Sequence, residues 1–189
     1  MKHKLTAYIT KILGENPPNL DSVLGRFKEI TTSRNEIILR EGEVCKYVYF
    51  IVSGCLQVFV YDNQANETTR DLVVENNWCS ELMSFGSGNP ATENIRCAEP
   101  CQLLAIDKAG FQEMMQSVPQ YGMVYQKILE ASYANSVYRI NTFVSLSALD
   151  RIKWLMDNRP GLMARLPSKL IASYLGISQE TFSRLKAKL

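Results

Sequence analysis

The apolar positions of this chain change period part-way along it. From about residue 30 to about 106, short β-branched and aromatic runs dominate, as in NEIILREGEVCKYVYFIVSGCLQVFVYDNQANETTRDLVV, with alternation around Leu56, Val58 and Val60. Turn pairs punctuate them at Glu41-Gly42, Ser53-Gly54 and Asp62-Asn63, and a second set follows in ENIRCAEPCQLLAID. Alternating runs bounded by turn residues predict strands. Many short strands in succession predict a small barrel or jelly roll. The segment ahead of them, Lys4 to Ile30, has a helical pattern broken at Pro17-Pro18.

From Lys108 the apolar spacing lengthens to three and four. KAGFQEMMQSV predicts one short helix, and Pro119 suits the first position of a much longer one, PQYGMVYQKILEASYANSVYRINTFV. Continuous from Pro119 to Phe143, that helix would span about 37 Å at about 1.5 Å per residue. Tyr121, Val124, Tyr125, Ile128 and Leu129, then Val137, Ile140 and Val144, recur on one side, while Tyr133 and Tyr138 leave apolar surface on another. A helix this apolar is expected to pair with a second copy of itself, with Val124, Ile128 and Val137 at the dimer contact. The alternative is a core helix of a monomer.

The tail continues with a helix around SALDRIKWLMDNRPG, stopped by Pro160-Gly161, and ends on LPSKLIASYLGISQETFSRLKAKL. Pro167 can open a helix, since its missing N–H would be unpaired there. Leu170, Ile171 and Leu175 form an inner face, and Ala172 is small enough to let another helix cross close by. Gly176 can adopt the left-handed conformation that ends the helix, and Ser178 is a good N-cap for the next. That last helix has Phe182, Leu185 and Leu189 inside and Gln179, Glu180, Ser183, Arg184 and Ala187 outside. Two helices joined by a short glycine turn, after a first helix, make the helix-turn-helix pattern. Gln179, Glu180, Ser183 and Arg184 lie near the helix N-terminus, where such helices read bases, and Arg can present two parallel donors to guanine. The plainer reading of Glu180 and Arg184, four apart, is an exposed helical ion pair of about 0.3–0.5 kcal/mol.

Charge strengthens the DNA reading. The chain carries a formal +2, but residues 144–189 hold eight Lys/Arg against three acids, +5, leaving −3 for residues 1–143. A basic module on a slightly acidic body is expected to meet a polyanion. Composition otherwise excludes more than it suggests. At 189 residues and 46% hydrophobic, one domain plus a small second one can be buried. No apolar run reaches the about 20 residues of a membrane span, and the N-terminus has no signal-type apolar stretch, so a cytoplasmic protein with no membrane partner is expected. Cys45, Cys55, Cys79, Cys97 and Cys101 are an odd number and scattered, which favours reduced thiols. CAEPC without a second pair is a weak metal signal, and packing explains it better. His3 is the one histidine, so neither a metal-dependent jelly-roll enzyme nor a nucleophile–histidine pair can be built; no catalytic or metal residues are assigned.

The order roll, long helix, terminal helix-turn-helix, with ISQETFSRL in the last helix and FIVSG with Gly42 in the roll, resembles the bacterial catabolite-activator/FNR (Crp/Fnr) family of transcription regulators. The resemblance implies an α+β fold: a cyclic-nucleotide-binding-like domain over residues 1–118, a dimerisation helix over 119–143 and a helix-turn-helix domain over 144–189. It implies base-reading by Gln179, Glu180 and Arg184, with Ser183 beside them, and phosphate contacts from Ser168, Lys169 and Lys188. Double-stranded DNA, a second copy of the chain and RNA polymerase are the partners it implies.

The chain departs from the family in two places. Cyclic-nucleotide binders of this fold have a Gly-Glu pair, a short helix and an arginine about ten residues later. Here SELMSFGSGNPATENIR keeps Glu81 and Leu82 with Ser80 for the glycine, and ungapped counting puts Ala91, then Thr92 and Glu93, at the arginine. A buried phosphate would lack its charge-assisted partner. Arg96 is the only nearby substitute, in an apparent strand. Glu81, Leu82, Ala91, Thr92 and Arg96 therefore define an effector region for which cyclic nucleotide is disfavoured and no other cofactor is assigned. Secondly, the β-hairpin wing that the family adds after the last helix is not expected before Leu189. The rival function is a sensor or scaffold whose helix-turn-helix binds protein, which an exposed Phe182 would favour and a buried one would not.

Overall fold

The alternating runs form eight strands in a computed structural model that describes residues 1–189. They are β1 (Lys28–Thr32), β2 (Ile37–Leu39), β3 (Tyr47–Ser53), β4 (Leu56–Tyr61), β5 (Glu67–Val73), β6 (Trp78–Cys79), β7 (Asn94–Cys97) and β8 (Cys101–Asp107). They pair antiparallel into two four-stranded sheets, ordered β1-β8-β3-β6 and β2-β7-β4-β5. This is the expected roll. Ile51, Leu56, Ile95 and Leu103 are fully buried in the roll's core, because period-two alternation sends one set of side chains inward from each strand.

Helices close the roll. α1 (Lys2–Leu13) buries Leu5 and Ile9, α2 (Leu20–Gly25) buries Val23 and Leu24, and α3 (Leu82–Ser87) interrupts the strand series. The helical reading up to Ile30 runs too far, since Lys28 to Ile30 belong to β1, where they pair with β8. Backbone partners on β8 override a weak local pattern there. α4 (Lys108–Ser117) starts on an Asp107 N-cap whose carboxylate accepts the Gly110 N–H at 2.9 Å. α5 then runs from Gln120 to Ser145 with Pro119 as its N-cap, at the length expected.

The tail comprises α6 (Ala148–Asn158), α7 (Leu162–Arg165), α8 (Ser168–Leu175) and α9 (Gln179–Lys186). The one-turn α7 is absent from the sequence reading. Ser147 and Ser178 cap α6 and α9 through the Asp150 and Thr181 N–H groups. Gly176 ends α8 at φ +66°, against the Phe143 ring. Ile152, Leu155, Leu162, Ile171, Leu175 and Phe182 make the tail's own core, which also takes in Cys55, Leu72 and Ala98 from the roll.

That shared core seats the tail on β5, an edge strand with unpaired backbone groups. The Thr69 N–H donates to Ser173 Oγ at 2.9 Å, Arg139 Nη2 donates to the Thr69 carbonyl at 3.0 Å, and Arg159 Nη1 donates to the Leu72 carbonyl at 2.7 Å. Side chains from α8, α5 and the end of α6 thus do for this edge what another strand would do. Arg151 fastens the tail to the long helix: it donates to the carbonyls of Phe143 and Leu146, at the end of α5, and of Leu175, at the end of α8. Helix C-termini leave such carbonyls free, and a cation suits their dipole.

Candidate nucleic-acid interface and effector cavity

The last helix presents two unlike faces. Phe182 is 1% exposed against α6 and α8, whereas Gln179, Glu180, Ser183 and Arg184 are all exposed. Glu180 and Arg184 do not pair, since no carboxylate lies within 4 Å of the Arg184 guanidinium. The Glu180 carboxyl is held below its ordinary value by its own backbone N–H and by Ser178, as suits an acid in the first turn. Ser168 and Lys169 are exposed where α8 begins, and Lys188 is exposed just past α9. All seven residues assigned to DNA from the sequence are thus on open surface.

Part of the tail's positive charge is engaged within the protein. Of the eight cations of the tail, three are spent inside the protein: Arg151 on helix carbonyls, Arg159 on β5, and Arg165 on Glu75 and Glu99 of the roll. Lys153, Lys169, Arg184, Lys186 and Lys188 remain exposed. The excess that suggested a polyanion is therefore partly an interdomain device, and the free positive charge is concentrated at the start of α8 and along α9.

The proposed dimer contact also changes. Val124 is 5% exposed and sits in the roll's core, and Ile128 packs against that core. Of the three residues assigned to the dimer face, Val137 alone is exposed. The open apolar row is Tyr133, Val137, Ile140 and Val144, with Tyr133, Ile140 and Val144 at 73, 62 and 83% exposure. Its 4-3-4 spacing is that of a coiled-coil seam. The N-terminal half of α5 has its apolar side covered by the roll, which periodicity cannot distinguish from a side covered by another subunit.

The effector region shows a similar split. A cavity of about 150 Å³ lies between the roll and α5, walled by residues such as Val58, Leu82, Phe85, Tyr121, Val124 and Tyr125. Of the five effector residues named from sequence, Leu82 alone lines it. Glu81 is buried and its carboxylate accepts the Ser84 N–H at 2.6 Å, capping α3. Ala91 is buried and exchanges backbone hydrogen bonds with Gly42 and Glu43; Thr92 is exposed beside it. Arg96 turns elsewhere, donating to Gln57 Oε1 at 3.1 Å and Glu67 Oε2 at 2.8 Å and lying over the Phe59 ring.

Two cations reach this cavity: Arg159, already met on β5, and Arg70, which the sequence reading missed. Arg70 is the extra residue of a β-bulge: Phe59 pairs with Thr69 and Val58 with Asp71, leaving Arg70 unmatched. Bulges re-aim side chains, and nothing in the alternation of β5 marks this one. Glu93 accepts from Arg70 Nη2 at 2.9 Å, so its charge is already met. Burial pushes the Tyr49 phenol and the Cys79 thiol up, and the five cysteines are free and buried.

A family model described as the cyclic nucleotide-binding domain matches residues 29–118. The cAMP-activated global transcriptional regulator CRP of Pasteurella multocida is 20% identical over 158 residues, 78% of this chain and 76% of that one. Among solved structures, the c-di-GMP responsive global regulator CLP of Xanthomonas campestris superposes with a TM-score of 0.72 at 17% identity, covering 90% of this chain and 89% of its own. FixK2 of Bradyrhizobium japonicum does so at 0.73 and 16% identity, covering 86% and 84%. Roll, long helix and C-terminal helices thus follow the order of the Crp/Fnr regulators, and the chain has their fold.

Proposed function

We propose that this chain is a sequence-specific DNA-binding transcription regulator of the Crp/Fnr type that acts as a homodimer and does not respond to cAMP. The observation that carries the reading is α9: Phe182 is sealed inside while Gln179, Glu180, Ser183 and Arg184 stand unpaired on the open face. A protein-binding helix-turn-helix would be expected to expose its aromatic residue; this one exposes hydrogen-bonding groups sized for base edges. The open 4-3-4 row on α5 supports a second copy of the chain, and two-fold pairing would present two recognition helices to one duplex. Against cAMP stand the apolar walls of the roll cavity, the buried Ala91 at the phosphate position and the Glu93 pairing of Arg70.

The experiment is selection of bound sequences from random duplex DNA, repeated at two salt concentrations. Enrichment of one site with dyad symmetry, and affinity falling steeply with salt, is the expected result. Retention of all sequences alike, or of none, would overturn sequence-specific DNA binding. Calorimetry with millimolar cAMP should show no heat of binding and no change in DNA affinity; micromolar affinity would point to Arg70 as the phosphate's cation.

A further inference from the structure

A second cavity, of about 300 Å³, lies where β5, α5, α6 and α8 meet, and four arginines line it: Arg70, Arg139, Arg151 and Arg159. Asp71 is the one carboxylate in its wall. Arg70 is matched by Glu93, and Arg159 has Asp71 at 4.0 Å. Arg139 and Arg151 have no carboxylate within 4 Å at all; they are held on backbone carbonyls of Thr69, Tyr174, Phe143, Leu146 and Leu175. Hydrogen bonds to neutral carbonyls fix a guanidinium in place but leave its charge unbalanced. Partly buried charge without a counter-ion is costly, and is normally paired.

The guanidiniums are also unsaturated. Arg139 engages the Thr69 and Tyr174 carbonyls through Nη2 alone, and Arg159 engages Leu72 through Nη1 alone, leaving their other N–H groups without a protein acceptor. Burial and the neighbouring Arg159 lower the Arg139 pKa, although Tyr174 and Asp71 oppose them, so the pocket holds that charge at a cost. Four aromatic rings, Tyr138, Phe143, Trp154 and Tyr174, share the wall with Asn135, Ser136, Thr142, Asn158 and Leu175, and Arg139 lies over the Phe143 and Tyr174 rings at 4.7 and 4.1 Å. The Trp154 Nε1–H is buried and has no acceptor.

We propose that this cavity is a binding site for a small phosphate-bearing organic molecule, whose phosphoryl group is held by Arg139 and Arg159 and whose body lies against the aromatic wall. The wall's excess of two cations, Arg139 and Arg151 having no carboxylate, matches the roughly −1.5 to −2 charge of a phosphate monoester, and the free N–H groups of the Arg139 and Arg159 guanidiniums match its oxygens. A bare phosphate would leave the Tyr138 and Trp154 side uncovered; an organic body fills it and can offer Trp154 its missing acceptor. The site adjoins the roll cavity where a cyclic nucleotide would be sought, and Arg70, Asp71, Asn135, Ser136 and Arg159 border both; Arg139, Arg151 and the Tyr138, Phe143, Trp154 and Tyr174 rings belong to this one alone. Since its walls come from the roll, the long helix and the tail, the bound molecule would hold those three parts in the present arrangement.

The test uses the full chain without DNA, so its outcome is independent of the DNA-binding proposal. Thermal melting and tryptophan fluorescence are followed at constant ionic strength with inorganic phosphate, ribose 5-phosphate against ribose, and adenosine 5′-monophosphate against adenosine. All three phosphates should raise the melting temperature relative to chloride, with at least one organic phosphate binding tenfold or more tightly than inorganic phosphate. Ribose and adenosine should do nothing. Arg139→Gln should weaken phosphate binding at least tenfold. Because that variant also loses contacts to β5 and α8, Trp154→Phe serves as a second probe: it should abolish the fluorescence change, while Trp78→Phe, in the roll, keeps it. The site is overturned if no phosphate shifts the melt or the fluorescence, or if Arg139→Gln binds like wild type. Equal binding of inorganic and organic phosphates would overturn the organic ligand.

Discussion

Arg184 and Lys169 divide the proposed DNA contact into reading and holding. Both are exposed and unpaired, but Arg184 lies on the open face of α9 and Lys169 at the start of α8. A bidentate Arg–guanine contact contributes about 1–3 kcal/mol of discrimination at one base pair. Arg184→Ala should therefore relax preference at one position of each half-site, as read by selection from random duplexes. Lys169→Ala should weaken all sequences alike and lower the salt slope by about 1. An unchanged preferred site in Arg184→Ala would refute base reading by that residue. Gly176 is a different kind of position. At φ +66° it occupies the left-handed region, and an added Cβ would overlap the Phe143 ring. Gly176→Ala should cost more than the about 1–2 kcal/mol of a left-handed L-residue, measurable by urea denaturation, with α9 losing its fixed angle to α8.

At the level of the element, α5 is two helices in one. Its N-terminal half buries Tyr121 and Val124 in the roll, and its C-terminal half leaves Tyr133, Val137, Ile140 and Val144 open. Substitutions in the halves should therefore differ in kind. Val137→Glu with Ile140→Glu should give a monomer by sedimentation, with the roll's melting temperature little changed and DNA affinity lost. Val124→Glu should instead unfold the roll, since a carboxylate buried among apolar side chains has no partner. A wild-type chain that sediments as a monomer at micromolar concentration would overturn the dimer.

For the whole molecule, the contact to watch is that between tail and roll. Arg165 pairs with Glu75 and Glu99 across it. Burial raises the Glu75 carboxyl, but hydrogen bonds from Arg165 and from backbone N–H groups outweigh it, and the net shift is downward from 4.5. A carboxyl whose folded pKa lies below its unfolded one stabilises above the unfolded value, and that contribution is lost as pH falls through the folded one. The docked tail should accordingly loosen below about pH 4.5, and at neutral pH in Arg165→Ala. The amide of Thr69, held by Ser173, is the reporter: its hydrogen exchange should speed up in both cases while that of Ile51, in the roll's core, stays slow. If Thr69 exchange were unaffected, the docking would not depend on this ion pair.

Local chemistry by itself determined much of this protein. Alternation around Leu56, Val58 and Val60 specified strands, the Ser178 cap and the Gly176 turn specified helix ends, and the spacing of Ile171, Leu175 and Phe182 specified the tail's core. Each of these rests on neighbours within a few residues, which is why the roll, the long helix and the outward face of α9 were legible without coordinates. What only the tertiary structure decided involves pairs far apart in the chain. Val124 and Val137 have the same apolar signal, and the roll's position alone tells core from open seam. Arg159 and Arg165 read as free basic residues until β5, Glu75 and Glu99 are brought beside them. Arg70 reaches the cavity because a bulge against β4 turns it there, while Arg96 is claimed by Gln57 and Glu67 across the sheet. The period of a segment says which residues share a face; what covers that face depends on how the rest of the chain folds back over it.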